Sequence, residues 1–427
     1  MTVPMIIALV IVVGMIVAIM TDKFSFGAPP VVAAILMVVC GILPIETAFK
    51  GFIDTNVIMV AGFMAVMAAL QKTSLMAKIK AAMGKVATKG GFLAYAALII
   101  IVMLGTSLLG GGNTGWYVMV ITVASTIPYT EKLPNSKLVM PMGFATGRAL
   151  IPVSVAFFLG LSSSLLDGNA AQADVTLPRF AIMSAFMSVF YLAWALIAYK
   201  LLPSHDVQAG QEIAEKKVEA DNAPTLAKWQ EIVVYAAAAV SIIGMMFASS
   251  LGEIAYVLPL LCTAILVLCK VFTFKEARNQ VFSPLIIMMA AVIGVAEGLA
   301  STGFTTMVGE AVARAMGGSV NMFLLIFVFS LLVSACATLT GASIGSLFVF
   351  APIAIAACTS MGVNPAGVAC AMTAAAWGGG FLPIDGMPAM VLGMGKYKLT
   401  DFLKYSIPMY LIQILGLSLG AYLIFPH

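Results

Sequence analysis

Two apolar stretches of about forty residues each contain a Gly-rich break near the middle. The first break reads Leu109-Gly-Gly-Gly-Asn-Thr-Gly115, and the second, about 230 residues later, reads Leu339-Thr-Gly-Ala-Ser-Ile-Gly345. Each is followed about forty residues later by another break, Gly147-Arg-Ala-Leu-Ile-Pro-Val-Ser154 and Gly378-Gly-Gly-Phe-Leu-Pro-Ile-Asp385. Lipid cannot satisfy a non-helical backbone, so such breaks must be buried in protein or line a polar cavity. Paired breaks of this kind indicate a transporter's binding site.

The composition is that of an integral membrane protein. Of the 427 residues, 62% are hydrophobic and 9% are charged, whereas soluble domains are about a quarter charged. The apolar runs are continuous, which excludes an outer-membrane barrel, because barrel strands alternate apolar and polar residues. The net charge of +4 is dispersed, so we expect no nucleic-acid partner. The first run, 3–20, lacks the flanks of a signal peptide and is interpreted as a transmembrane helix.

The distribution of lysines predicts how the two halves sit in the membrane. The segment after the third helix carries five lysines, whereas its counterpart, 302–320, carries only Arg314, balanced by Glu310. By the positive-inside rule the first segment is cytoplasmic and the second external. We therefore expect two inverted five-helix repeats in the cytoplasmic (inner) membrane, with both termini external. The five lysines lie on an expected amphipathic surface helix: Lys72, Lys78, Lys80, Lys85 and Lys89.

Two readings fit the long stretches 91–130 and 321–359. Each is long enough for two full spans, since about twenty residues cross a bilayer. The alternative is a re-entrant hairpin with the Gly-rich motif at its tip. The polar, Gly-rich character of both motifs favours the hairpin. The predicted fold is thus an all-α polytopic membrane protein of two inverted five-helix repeats, each with a re-entrant hairpin and a broken transmembrane helix.

The hairpin tips supply the first candidate ligands. A tip exposes helix-end N–H and C=O groups, which bind small anions and cations respectively. The competing interpretation is a packing turn, because glycine lets helices approach closely. The candidates for substrate binding at the tips are Asn113, Thr114, Ser343 and Ser346, and those for ion binding or coupling are Gly112, Asn113, Gly341 and Ser343.

Arg148 is the most informative single residue. It lies in an apolar segment beside Gly147, four residues before Pro152. An intramembrane charge is costly and usually faces a cavity or a partner. A guanidinium group there suits a carboxylate or phosphate. The alternative is an arginine that snorkels from a helix end.

Asp385 is the acidic candidate, and Ser154 is its counterpart in the first half. An acid in a dry pocket can carry a proton, ligate a cation or pair with Arg148, so we assign Asp385 to substrate binding and to coupling. The alternative is a turn-forming Asp before Gly386. Glu297 is a weaker intramembrane acid candidate, because Glu297-Gly298 is also compatible with a helix end.

No motif of an enzyme is present, neither HExxH nor GxSxG nor an Asp pair at metal-ligand spacing. We therefore expect no enzymatic activity and no cofactor, with sodium as the one candidate metal ion. An intramembrane enzyme and a passive channel remain competing classes. A channel seldom needs two charged, broken-helix segments.

The chain resembles the divalent anion/sodium symporter family of the ion transporter superfamily. The resemblance covers most of the chain and is strongest from Pro383-Ile-Asp-Gly-Met-Pro388 to Leu399-Thr-Asp-Phe-Leu-Lys-Tyr-Ser-Ile-Pro408. Gly51-Phe52, followed by Asn56, resembles the family's entry to the third helix. The family's tips carry Ser-Asn-Thr, which binds substrate carboxylate and sodium. Here the first tip keeps Asn113 and Thr114, and the second keeps none in register.

This resemblance implies a homodimeric elevator, in which a scaffold stays fixed while the part that contains the hairpins moves. The implied function is symport or antiport of a small organic anion, such as a di- or tricarboxylate, coupled to sodium or protons. An inorganic-ion permease, an exchanger or a passive channel of the same fold is the alternative. The corresponding units are scaffold 1–90, transport part 91–202, cytoplasmic linker 203–231, scaffold 232–320 and transport part 321–427.

Overall fold

The structure is a computed structural model that describes residues 1–20, 24, 27–109, 114–151, 155–168, 171, 175–207, 226–304, 307, 321–340, 343–383 and 386–426. Its named elements in these ranges are all helices. Six of the described helical segments are long and apolar enough to cross a membrane, and several shorter apolar helices accompany them. The prediction of an all-α polytopic membrane protein is confirmed.

The principal helices of the first half follow the predicted apolar segments. They are α1 (Val3–Met20), α2 (Ala28–Val39), α3 (Thr55–Gln71), α4 (Leu75–Ala87), α5 (Gly91–Leu109), α6 (Thr114–Thr126), α7 (Ser136–Ala145), α8 (Ala156–Gly168) and α9 (Leu177–Ile197). A side-chain cap fixes the first residue of α3. The Asp54 side chain accepts hydrogen bonds from the backbone N–H groups of Asn56 and Val57, which caps α3.

The described residues of the second half form nine principal helices. They are α10 (Lys228–Met246), α11 (Glu253–Leu268), α12 (Phe274–Val281), α13 (Pro284–Ser301), α14 (Met322–Thr340), α15 (Ser343–Ser360), α16 (Ala366–Ala376), α17 (Gly386–Met394) and α18 (Leu399–Ile424). Both long stretches are thus divided into two helices at their Gly-rich motifs. The following stretches are divided after Ala145 and after Ala376.

The α5–α6 pair is a hairpin whose two ends lie together. A Cβ atom on Gly90, just before α5, would lie 3.7 Å from Cβ of Lys132, which follows α6. Near the tip, Trp116 Nε1 donates to Thr106 Oγ1 at 2.9 Å. The Trp116 ring fills the space that a side chain at Gly105 would need. The stretch 91–130 is therefore a helical hairpin, as both interpretations of it require.

Long-range packing joins the two halves. Helix α3 packs on α11, and α9 packs on α18. One continuous core of buried apolar side chains includes Val60 of α3, Met183 of α9 and Ile414 of α18. A second, smaller core joins α1 and α2 to the end of α13. The two breaks are therefore held inside a structure to which both halves contribute.

The lysine-rich segment forms α4. Its Met83 side chain is fully buried, whereas Lys78, Lys80 and Lys85 are exposed, as expected of an amphipathic surface helix. At the start of this segment Lys72 Nζ lies 2.7 Å from a carboxylate oxygen of Glu276 on α12.

The first residues of the linker are held against α7. Asn135 Nδ2 donates to the Asp206 carboxylate at 2.8 Å, and Ser136 Oγ donates to the Pro203 carbonyl at 2.8 Å. His205 Nε2 lies 2.8 Å from the Gly395 carbonyl oxygen. Residues 203–207 thus fasten the loop after α17 to the start of α7.

Candidate functional site

Arg148 lies just beyond the end of α7, where the chain leaves the helix. Its side chain is 6% exposed. The guanidinium group donates from Nε to Gln413 Oε1 at 2.8 Å. It also donates from Nη1 to the Gly147 carbonyl at 2.9 Å and from Nη2 to the Gly378 carbonyl at 3.3 Å. Arg148 is therefore a buried residue held by three acceptors and does not snorkel to a membrane surface.

The two carbonyl acceptors occupy equivalent places in the two halves. Gly147 closes the last turn of α7 through its N–H, which donates to the Phe144 carbonyl, and Gly378 closes α16 in the same way onto Ala375. The C-terminal end of a helix carries partial negative charge. The guanidinium group thus bridges the negative ends of two broken helices, one from each half of the chain.

Gln413 fixes the orientation of this cation. It lies on α18 and is fully buried. Its Oε1 accepts from Arg148, and its Nε2 donates to the same Gly378 carbonyl that Arg148 contacts. The three described acceptors of Arg148 are neutral, so the guanidinium keeps its positive charge for an anion. They use three of its five N–H groups.

Hydroxyl groups from the two hairpins satisfy the backbone at the breaks. In the first half, Ser107 Oγ accepts from the Ile151 N–H at 2.9 Å. The single proton of Thr106 Oγ1 is shared between the carbonyl oxygens of Val102, at 2.9 Å, and Ala145, at 3.1 Å. In the second half, Thr338 Oγ1 accepts from the Gly380 N–H at 3.1 Å. Each hairpin is therefore bonded to the break of its own half, which replaces the helical hydrogen bonds that the break removes.

A cavity of about 60 Å³ adjoins Arg148. Its apolar walls include Phe158, Met187 and Trp377, and its polar members besides Arg148 are Ser184 and Ser188 of α9. Phe158 and Trp377 contact each other edge to face, with ring centroids 5.2 Å apart. The result is a small, mainly apolar space with one cation and two hydroxyl groups.

A larger cavity, of about 360 Å³, lies between α3, α8, the start of α9 and the end of α10, with Tyr256 of α11 at its wall. Its polar lining includes Asn56, Asp167 and Thr176. The carboxylate of Asp167 disfavours an anion there by like-charge repulsion. On charge, the Arg148 cavity is the better anion site.

The remaining predicted ligands are distributed as follows. Ser343 begins α15 and is half-buried, and Ser346, one turn later, is 4% exposed; the described contacts join neither serine to Arg148. Thr114 begins α6, and its side chain lies outside the described part of the structure. The predicted residues that lie wholly outside the described residues are Gly112, Asn113, Ser154, Gly341 and Asp385.

Glu297 has a partner that explains its position. Its carboxylate forms an ion pair with Lys50, which lies in a short helical turn before α3. This pair gives Glu297 a structural role in joining the two halves.

Sequence reasoning did not identify Gln413, Thr106, Thr338, Ser184 or Ser188. A signal was available for Gln413, because it is a polar amide within the apolar run Leu411-Ile-Gln-Ile-Leu415. The Thr and Ser residues carry no comparable signal, since small hydroxyl residues occur throughout apolar helices, where they bond the preceding turn.

Comparison with known proteins agrees with this architecture. A family model described as citrate transporter matches residues 16–263 and 246–426. The crystal structure of the YdaH transporter from Alcanivorax borkumensis is similar, with a TM-score of 0.60 and 15% identity over 89% of this chain and 88% of that one. The structure of MtrF from Neisseria gonorrhoeae, described with a class of antimetabolite efflux pumps, gives a TM-score of 0.61 and 12% identity over 99% and 94%. No curated protein matches the sequence.

Proposed function

Because the chain belongs to the citrate transporter family, we propose that this membrane protein is a secondary active transporter of a small di- or tricarboxylate, such as citrate. The predicted relationship to the divalent anion/sodium symporters is confirmed at the level of a related family. The observation that carries the proposed substrate class is the buried, positively charged Arg148, whose described acceptors are neutral.

The proposed site lies where the two breaks meet. Arg148 offers a planar group with several N–H donors, which suits a carboxylate. Its contact with the Gly378 carbonyl, at 3.3 Å, is the longest of the three, so an incoming carboxylate oxygen can replace it at the lowest cost. The hairpin-tip residues Asn113, Thr114, Ser343 and Ser346, together with Ser154, would complete the cradle.

The coupling ion would bind on the acidic side of this site. In this proposal Asp385 carries a proton or ligates sodium, and the backbone around Gly112 and Gly341 supplies carbonyl ligands. Sodium prefers oxygen ligands, and the carbonyl ends of broken helices provide them. The transport parts would move as an elevator against the scaffolds of a homodimer in the cytoplasmic membrane, with both termini external.

The deciding experiment is uptake of labelled citrate into proteoliposomes under imposed sodium or proton gradients, with gradient-free vesicles as the control. We expect uptake that depends on one of the two gradients and saturates with citrate. If neither gradient nor a counter-loaded anion drives uptake, the coupled-transporter proposal is wrong. Single-channel conductance would identify a channel instead.

A further inference from the structure

Ser184 presents a buried hydroxyl group beside Arg148. Its Oγ atom is inaccessible to solvent and has no hydrogen-bond partner in the described part of the chain. Ser188 lies one helical turn later on α9, on the same face, and is 3% exposed. Both serines line the 60 Å³ cavity together with Arg148.

Several buried serines of this protein donate to a carbonyl of their own helix. Ser162 Oγ donates to the Phe158 carbonyl at 2.9 Å, and Ser241 Oγ donates to the Ala237 carbonyl at 2.8 Å. These bonds to the preceding turn are the ordinary state of a buried helical serine. A hydroxyl group without any partner in an apolar setting is costly. Among the described residues, Ser184 shares this unpartnered state with five other serines: Ser164, Ser283, Ser330, Ser334 and Ser418.

An unpartnered hydroxyl group is not by itself sufficient to indicate a binding site. Ser330 of α14 is fully buried. Its Oγ atom also has no hydrogen-bond partner among the described residues. Ser330 does not line the Arg148 cavity. What distinguishes Ser184 is that an unpartnered donor, a second serine and a buried guanidinium group share one small space.

We propose that this space is a subsite for one carboxylate group of the transported anion, bound by the Arg148 guanidinium and the Ser188 hydroxyl group. The buried Ser184 hydroxyl group turns about χ1 into the cavity to donate to the same carboxylate. This inference rests on the proposed function and adds two specificity-determining residues to it. A cavity of 60 Å³ has room for a few water molecules, and so for one carboxylate but not for a whole tricarboxylate. The rest of the substrate must lie outside it, toward the breaks.

The walls of the subsite account for its selectivity. Phe158, Met187 and Trp377 limit the access of water, and hydrogen bonds to a charged group are stronger where water is excluded. A neutral amide or ester at the same place forfeits the charge interaction with Arg148. The subsite therefore selects for an ionised carboxylate end.

The test compares Ser184→Ala and Ser188→Ala with the matched control Ser330→Ala. In proteoliposomes we expect each α9 variant to raise the KM for citrate about tenfold, the loss of one hydrogen bond to a charged group, with Vmax within about twofold. We expect S330A to keep the wild-type KM. In detergent, without citrate, the Tm of S184A and S330A should equal or exceed that of the wild type, because each removes a buried, unpartnered hydroxyl group.

The increase in Tm on adding citrate provides a second readout on purified protein. We expect it to be smaller in S184A and S188A than in the wild type and unchanged in S330A. If the wild type transports citrate and both α9 variants keep its KM and its Tm response, the subsite is wrong while the proposed function stands. If the wild type neither transports citrate nor responds to it in Tm, the proposed function fails, and the subsite fails with it.

Discussion

The two breaks have the same architecture but different chemistry. Both follow a short helix that ends in a closed turn at a glycine, Gly147 or Gly378, and both are bonded to a hydroxyl group of the adjacent hairpin. Among the described residues of the two breaks, 147–151 and 378–383, only Arg148 is charged. The second supplies the Gly378 carbonyl that Arg148 contacts at 3.3 Å.

This difference places a single positive charge between the two breaks. A symmetric pair of cations would repel each other across the short distance between the breaks. One arginine placed between two helix C-termini instead interacts favourably with both negative ends. Gln413, supplied by the last helix, then holds the cation and the second break together.

The largest expected effect comes from removing the charge that distinguishes the breaks. Arg148→Gln should lower citrate uptake at subsaturating concentration about a hundredfold, because about two charge-assisted hydrogen bonds to the substrate are lost. Arg148→Lys keeps the charge but not the planar donor geometry, so its uptake should be intermediate. Lys85→Gln, which removes one exposed positive charge from α4, is the control. Wild-type uptake by R148Q would exclude Arg148 from the substrate site.

The next largest effect is expected on stability, when a glycine at each break is replaced by alanine. A Cβ atom at Gly378 would lie 2.7 Å from Met187 Cε and 3.0 Å from the Ala375 carbonyl oxygen, both too close. One at Gly147 would approach the Phe144 carbonyl oxygen only to 3.7 Å, an ordinary contact. We expect Gly378→Ala to destabilise the protein by about 1–2 kcal/mol. Gly147→Ala should stay close to the wild type. Thermal unfolding in detergent measures both, and equal Tm values would contradict the asymmetric packing.

Removing a hairpin hydroxyl group at each break should give a smaller difference in Tm between the two variants. Thr106→Val removes an acceptor of Trp116 Nε1, while the Ala145 carbonyl keeps the Arg148 N–H as a donor. Thr338→Val removes an acceptor of the Gly380 N–H. Trp116 is fully buried and Gly380 is half-buried. Losing a partner costs a buried group about 1–3 kcal/mol and an accessible one less, so T106V should have the lower Tm. The reverse order would mean that the second break, and not the first, depends more on its hairpin.

The smallest effect on stability is expected at Phe381, toward the C-terminal end of the second break. Ser406 Oγ on α18 donates to the Phe381 carbonyl at 2.8 Å, and Phe381 is only half-buried. Ser406→Ala should therefore cost less than about 1 kcal/mol and leave the KM for citrate unchanged. An increase in KM would extend the site beyond Gly378 into the Phe381 segment.

Much of the fold could be predicted from the chain alone. The apolar runs located the helices, and the Gly-rich motifs located the division of 91–130 and 321–359 into two helices each. Arg148 stood out because a charge within an apolar run is rare. The substrate-binding and coupling assignments on 112–113, 154, 341 and 385 lie outside the described residues and remain predictions.

The partners of Arg148 could not be predicted in the same way. The Gly378 carbonyl is 230 residues away and Gln413 is 265 residues away. Any polar atom in the second half was an equally good candidate until the helices were packed. The serines of the cavity were hidden for a related reason, because a hydroxyl group with a partner in its own helix and one without look identical in sequence.

The sequence by itself determined the membrane environment, the helices and the places where they break, because lipid imposes local rules on backbone polarity and apolar length. It also determined the family, through residues spread over nearly the whole chain. Only the tertiary structure decided which groups meet at the breaks. The reason is physical: the Arg148–Gln413–Gly378 contacts and the Ser184 cavity exist only once α7, α9, α16 and α18 pack together, and no local pattern encodes that packing.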